Sequence, residues 1–169
     1  MIRYYTPRHA KILFIGINPH YGSFSRGVPF SNNKSFWYLL NASGIINENR
    51  EELKNDASLQ KIYADKFSKI YHLGLLNVVD RPSRDVSELR NGEEVTGKQR
   101  IIRIIRNTAP KVVCFIGKIT FQKFIGKKTA EFGWQKNIFN SKVFVMHFPI
   151  RGEASIRIKE LSEVADTAR

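Results

Sequence analysis

Ile12-Leu13-Phe14-Ile15-Gly16-Ile17-Asn18-Pro19-His20-Tyr21-Gly22-Ser23 is the stretch from which the rest of the chain is read. Its first four residues form an apolar run of strand length, and Gly16 and Asn18-Pro19 break that run abruptly. The pattern recurs. Leu73 to Val79 stops at Asp80-Arg81-Pro82-Ser83, Lys111 to Ile116 stops at Gly117-Lys118, and Lys142 to His147 runs into Phe148-Pro149. The run from Lys111 is almost continuously apolar, as a strand covered on both faces must be.

Helical spacing fills the intervals. A helix is predicted through Phe36, Trp37, Leu39 and Leu40, with Ser31-Asn32-Asn33 offering N-caps and Gly44 marking its end. Leu53, Leu59, Ile62, Tyr63 and Phe67 predict one or two surface helices within 47–70. From Glu93 to Asn107, Ile101, Ile102 and Ile105 face inward, Arg100, Arg103 and Arg106 face outward, and Pro110 stops the helix. Phe121, Phe124 and Ile125 mark a short helix, and Ala154 to Ala165 a final one. Residues 22–33 read as loop, Val86 to Leu89 as a short turn, and Trp134 to Ile138 as a minor strand or an extended connection. Strands alternating with helices predict an α/β fold, a three-layer α-β-α sandwich around a mainly four-stranded parallel sheet. With no repeat and no linker, one domain over residues 1–169 is expected.

Composition narrows the function. Lys and Arg outnumber Asp and Glu by 28 to 15, a formal charge of +13. The signs are segregated: residues 1–47 carry no Asp or Glu, and residues 97–130 carry nine Lys or Arg and no acid. Ten of the 15 carboxylates fall between Glu48 and Glu94. Such a balance points to a polyanionic partner, nucleic acid or an anionic membrane surface. No apolar run has the ~18 residues of a membrane span, and Met1 to Tyr5 lacks the apolar core of a secretory signal, so a cytoplasmic protein is expected. Cys114 is the single cysteine, so there is no internal disulfide and no cysteine-built metal or iron–sulfur site. Inside its apolar run it reads as a buried, inert thiol.

Ligands of open α/β sheets bind beyond the carboxyl ends of the strands. The loops there supply Asn18, His20 and Ser23, then Asn77, Asp80 and Arg81, then Lys118, then His147, Ile150 and Arg151, with Phe30 nearby. This rim is polar and basic. It has no Ser-His-Asp spacing, no GxxxxGK[ST] and no GxGxxG, which disfavours a nucleotide-hydrolysing enzyme.

Gly16-Ile17-Asn18-Pro19, Pro29-Phe30, Ser35-Phe36-Trp37 running into Ala42-Ser43-Gly44, Val79-Asp80-Arg81-Pro82, Ser87-Glu88-Leu89 and Ile116-Gly117-Lys118 occur in that order. Together they resemble the mismatch-specific uracil and thymine DNA glycosylases, a branch of the uracil-DNA glycosylase superfamily. The resemblance spans most of the chain. It implies a monofunctional enzyme of base excision repair that flips uracil from DNA, with thymine opposite guanine as a secondary substrate, and hydrolyses the N-glycosidic bond. It implies DNA carrying uracil or mismatched bases as the partner, a monomer, and no metal or organic cofactor.

Carried onto this chain, the resemblance makes Asn18 the residue that orients the attacking water through its side-chain carbonyl; the plain alternative is an Asn-Pro turn bonding its own backbone. It places Phe30 as the ring on which a flipped base stacks, against a role in the core. Asn77 becomes the reader of uracil, its amide pairing with O4 and N3–H, against a cap on the strand end. Ile17 joins these substrate-binding positions, as does His147 as donor to the leaving base, against an ordinary surface or core histidine. Ser23, Lys118, Arg151 and Gly152 are the expected DNA contacts, Arg151 as a wedge. Lys98, Arg100, Arg103, Arg106, Lys118, Lys123, Lys127 and Lys128 are candidates for neutralising phosphates, which gives affinity without sequence information. The match breaks in the last loop: Met146-His147-Phe148-Pro149-Ile150-Arg151-Gly152 carries Ile150 where the family has Ser, and His147 is shifted by one position. The rival readings are a non-catalytic nucleic-acid binding module on the same fold and an enzyme of free nucleosides, which the +13 charge disfavours.

Overall fold

The computed structural model describes residues 1–169. Four parallel strands form the centre of the sheet: β1 (Ile12–Gly16), β2 (Leu73–Asn77), β3 (Val112–Ile116) and β5 (Ser141–Met146). A fifth strand, β4 (Gly133–Ile138), pairs antiparallel with β5 at one edge, and the order is β2-β1-β3-β5-β4. The expected minor strand is therefore a full member of the sheet. It is the most exposed of the five, as an edge strand with one neighbour is free to be.

The strand alternation divides the core in two. Phe14, Leu75, Cys114 and Phe144 face one layer of helices: α2 (Ser35–Ala42), α3 (Arg50–Lys54), α4 (Asp56–Ile62) and α7 (Ala154–Thr167). Leu13, Ile15, Phe115 and Val145 face the other, made by α5 (Glu93–Thr108) and α6 (Lys118–Ile125). The three-layer sandwich stands as expected. Burial holds the Cys114 thiol well above its ordinary pKa, so it stays protonated and inert.

Two local expectations change. Tyr21–Arg26 is a helix, α1, where loop was expected. The His20 Nδ1 caps it by accepting from Gly22 N, and Gly27 closes it at φ 72°. Six residues are too few to show a periodic apolar stripe. The N-terminal end of α2 also departs: Lys34, not Ser31 or Asn32, precedes its first residue, while Asn33 Oδ1 accepts from Ser35 N. The region 47–70 forms α3, α4 and a π-helical turn at Tyr63–Phe67. Its five apolar residues are all buried against α2 and the sheet, so these helices cover the core.

No helix is long and apolar enough to cross a membrane.

Candidate active site

The loops leaving β1 and β2 run side by side beyond the sheet. Val78 N donates to Gly16 O (2.9 Å), Val79 N to Ile17 O (2.8 Å), and Ser83 N to Pro19 O (3.1 Å). The strand pairing thus continues past the strand ends and fixes Ile17-Asn18-Pro19 against residues 78–83. Beside it opens a cleft of about 340 Å³, bounded by this loop, by Phe30, by Asn77 and by Phe148 to Arg151.

Asn18 Nδ2 donates to Arg81 O (3.2 Å) and to Ser83 Oγ (2.7 Å). Ser83 Oγ in turn donates to Asp85 O (2.8 Å), so toward Asn18 it can only accept. Both partners of the amide nitrogen are acceptors. A flipped amide would set Oδ1 against two acceptors, so only one orientation is tolerated. Oδ1 has no protein donor and is left for a ligand or a water. The turn alternative does not describe this residue, because its bonds go to the β2 loop 63 and 65 positions away.

Arg81 itself is clamped. Its Nε and Nη2 bond the Glu93 carboxylate at 2.7 and 3.0 Å, and Nη2 also reaches Glu88 O. The guanidinium first, and the Arg90 backbone N–H second, hold the Glu93 carboxyl at about 2, against an ordinary 4.5. A depressed carboxylate contributes stability that is fully present above its unfolded pKa and is lost as the pH falls through its folded one. Acid titration is therefore expected to loosen the 80–93 segment between about pH 4.5 and 2, and Glu93→Gln is expected to flatten that part of a Tm-against-pH profile.

Asn77 and Gly16 are register partners at the carboxyl ends of β2 and β1. A Cβ built on Gly16 would lie 2.4 Å from Asn77 Oδ1 and 2.9 Å from Phe30 Cζ. The missing side chain is what lets the amide and the ring meet at the floor of the cleft. Asn77 is 2 % exposed, and its Nδ2 donates to Tyr4 Oη (2.8 Å). Burial, with Asp80 nearby, raises the Tyr4 pKa far above the usual phenol range, so the group is a neutral hydroxyl. Arg100 Nη2 donates to Asn77 O (2.7 Å), and Arg100 Nη1 pairs with Asp80. Arg100 thus ties down the strand end and is not a free phosphate contact as expected. Gly16→Ala is expected to displace Asn77 and Phe30 and to lower turnover by roughly 10²-fold, the scale of a 1 Å misplacement, with circular dichroism unchanged.

Phe30 is half-buried at φ 55° and packs on Phe36 with ring centroids 4.7 Å apart. A left-handed phenylalanine is strained unless its surroundings over-determine it. Here they do. Trp37 Nε1 donates to Pro29 O (2.9 Å), Ser31 Oγ to Val28 O (2.7 Å), and Ser23 Oγ accepts from Ser31 N and Asn32 N (3.1 and 2.9 Å). Phe30 packs against the core through Phe36 and also lines the cleft.

The remaining expected residues divide. Ile17 and Arg151 line the cleft. Ser23, an expected DNA contact, lies at its wall, is 2 % exposed, and accepts at Oγ from Ser31 N and Asn32 N, which shapes the Phe30 loop. His147, the expected donor to the leaving base, stands apart from the cleft. It lies outside the lining, its Nδ1 bonds the Glu160 carboxylate (3.0 Å), and its ring stacks on Phe132 (centroids 3.6 Å apart, 15° between planes). Phe148 holds the neighbouring cleft position instead. Lys118 likewise sits outside the lining, its ammonium 4.2 Å from the centroid of Phe132. Gly152 follows the cleft at φ 72°. Lys98, Arg103, Lys123, Lys127 and Lys128 have no carboxylate within 4.0 Å; Arg106 lies over Phe139.

Ser83 and Tyr4 are the contributors that sequence reading left out. Ser83 stood in the Asp80-Arg81-Pro82-Ser83 run that ends the second strand, where a hydroxyl in a turn is unremarkable in type. Tyr4 carries no local signal, because its partner lies 73 residues away. The cleft at the carboxyl edge, the fixed Asn18 amide, the Phe30 ring and the Asn77 amide form a pocket suited to a planar base and a water. A family model of the uracil DNA glycosylase superfamily matches residues 2–151, and the chain belongs to that superfamily.

Proposed function

We propose that this protein is a monofunctional uracil-DNA glycosylase of the mismatch-specific kind, acting as a monomer on intracellular DNA, with thymine opposite guanine as a poorer substrate. The observation that carries the reading is the Asn18 amide, whose nitrogen is spent on Arg81 O and Ser83 Oγ and whose oxygen is left to accept.

The flipped base stacks on Phe30 and meets the Asn77 amide at the floor. The C1′–N1 bond breaks with its electron pair going to N1 of the base, and the sugar takes on oxocarbenium character. A water held by Asn18 Oδ1 forms the new C1′–O bond and releases its proton to the departing base or to solvent. An amide is no base, so Asn18 acts by placing the water. General-base assistance, which contributes ~10²–10⁴-fold where a carboxylate supplies it, is forgone, and slow turnover is the expected consequence.

The test is single-turnover release of base from oligonucleotides carrying G·U, A·U, G·T or single-stranded U, read as alkali-labile sites. Release from G·U ahead of G·T supports the reading. Salt-sensitive DNA binding with no release from any of them replaces it with the non-catalytic binding module.

A further inference from the structure

The last loop, where the motif match breaks, is held from behind by one helix. Its first residue, His147, donates its backbone N–H (3.1 Å) to the Glu160 carboxylate, which also takes the ring Nδ1 at 3.0 Å. Its last residue, Gly152, accepts at its carbonyl from Arg157 Nη2 (3.1 Å). Arg157 and Glu160 stand three positions apart on α7, on its buried side, at 5 % and 9 % exposure. Between the two anchors lie Phe148, Pro149, Ile150 and Arg151, all facing the cleft.

The anchors are costly ones. Arg157 has no carboxylate within 4.0 Å, its Nε has no partner at all, and its one hydrogen bond goes to Gly152. A buried guanidinium committed to a single loop carbonyl is a poor stability device, so its effect is on where that carbonyl sits. At the tip, Ile150 is 53 % exposed beside the exposed Arg151. An apolar side chain held out over a cleft beside a cation is suited to enter a base stack, as apolar wedges do in kinked duplexes. Phe148 braces the loop from below, within 3.4 Å of the space left open by Gly117.

Resting on the glycosylase reading above, we infer that Arg157 and Glu160 are positioning residues that hold residues 147–152 as a preformed wedge for duplex DNA. The wedge is needed to hold a helix open after a base leaves it, and is dispensable where the uracil is already unpaired. The anchoring therefore acts on the ratio of duplex to single-strand turnover.

The experiment has two arms, run on wild type, Arg157→Met, Glu160→Ala and Glu160→Gln. Hydrogen–deuterium exchange reads the anchoring in the free protein. Met and Ala are expected to raise exchange across 148–152 while leaving the Asn18 loop protected, and Gln, which still accepts from His147 N, to stay near wild type. Single-turnover kinetics on G·U duplex and on single-stranded U read the consequence. Arg157→Met and Glu160→Ala are expected to lose roughly 10–100-fold on duplex and little on single strands, with Glu160→Gln largely restored. Unchanged exchange, or equal losses on both substrates, overturns the inference. If wild type releases uracil from neither substrate, the glycosylase reading fails and the wedge with it, while the exchange arm still decides the anchoring. If one of Arg157→Met and Glu160→Ala unfolds globally and raises exchange everywhere, the other decides: it supports the anchoring if exchange rises only at 148–152, and overturns it if that loop stays as in wild type.

Discussion

Asn18→Ala is expected to lower single-turnover uracil release by roughly 10²–10⁴-fold while leaving DNA affinity and Tm nearly unchanged. The substitution removes the Asn18 Oδ1 acceptor, which has no protein partner and belongs to a residue lining the cleft. It also leaves Ser83 Oγ and Arg81 O short of a donor, a cost of about 1 kcal/mol, since cleft water can replace what the amide supplied. The basic residues of α5 and α6 are untouched, so the electrostatic part of DNA binding is retained. Activity, anisotropy with labelled G·U duplex and thermal unfolding on the same preparation separate the outcomes. If the variant keeps more than about a tenth of wild-type turnover, Asn18 does not place the water.

The second large effect is structural. Gly97→Ala is expected to destabilise the protein by roughly 2–3 kcal/mol, a serious case of overpacking, and to lower Tm by about 5–10 °C. A Cβ at position 97 would lie 1.7 Å from Val78 O and 2.8 Å from Val78 C. Both are backbone atoms of the segment leaving β2, so no rotamer change relieves the clash. Helix α5 must lift away. The gain of about 1 kcal/mol in helix propensity does not offset that. Lifting α5 also draws Arg100 from Asn77 O and Glu93 from Arg81, so turnover falls with stability. Differential scanning calorimetry of wild type and variant checks the first effect, and an unchanged Tm would mean that α5 does not pack on Val78 as described.

The two predictions draw on different kinds of information. The β-α alternation was legible because each strand run is short, apolar and cut by Gly, Asn-Pro or Pro, signals that act within a few residues. The partition of the core, with Phe14 on one face of β1 and Leu13 on the other, follows from strand geometry and appears in the structure. The position of the cleft followed from chain direction, because loops after parallel strands share one edge. Helix α1 was missed because a six-residue helix shows less than two turns of periodicity.

What the amino-acid sequence determined alone is the α/β sandwich, the basic charge balance and a set of candidate side chains on one sheet edge. Which of them work together was decided only in three dimensions. Asn18 and Ser83 are neighbours because the loops after β1 and β2 pair beyond their strands. Asn77 meets Phe30 because Gly16 leaves room between them. His147 is turned to Glu160 and Phe132 by the packing of α7 and of the segment entering β4. Each of these depends on a partner tens of residues away. A hydrogen bond or a stacked ring is selected by the packing that brings the two groups within reach, and that packing is a property of the whole core rather than of any motif.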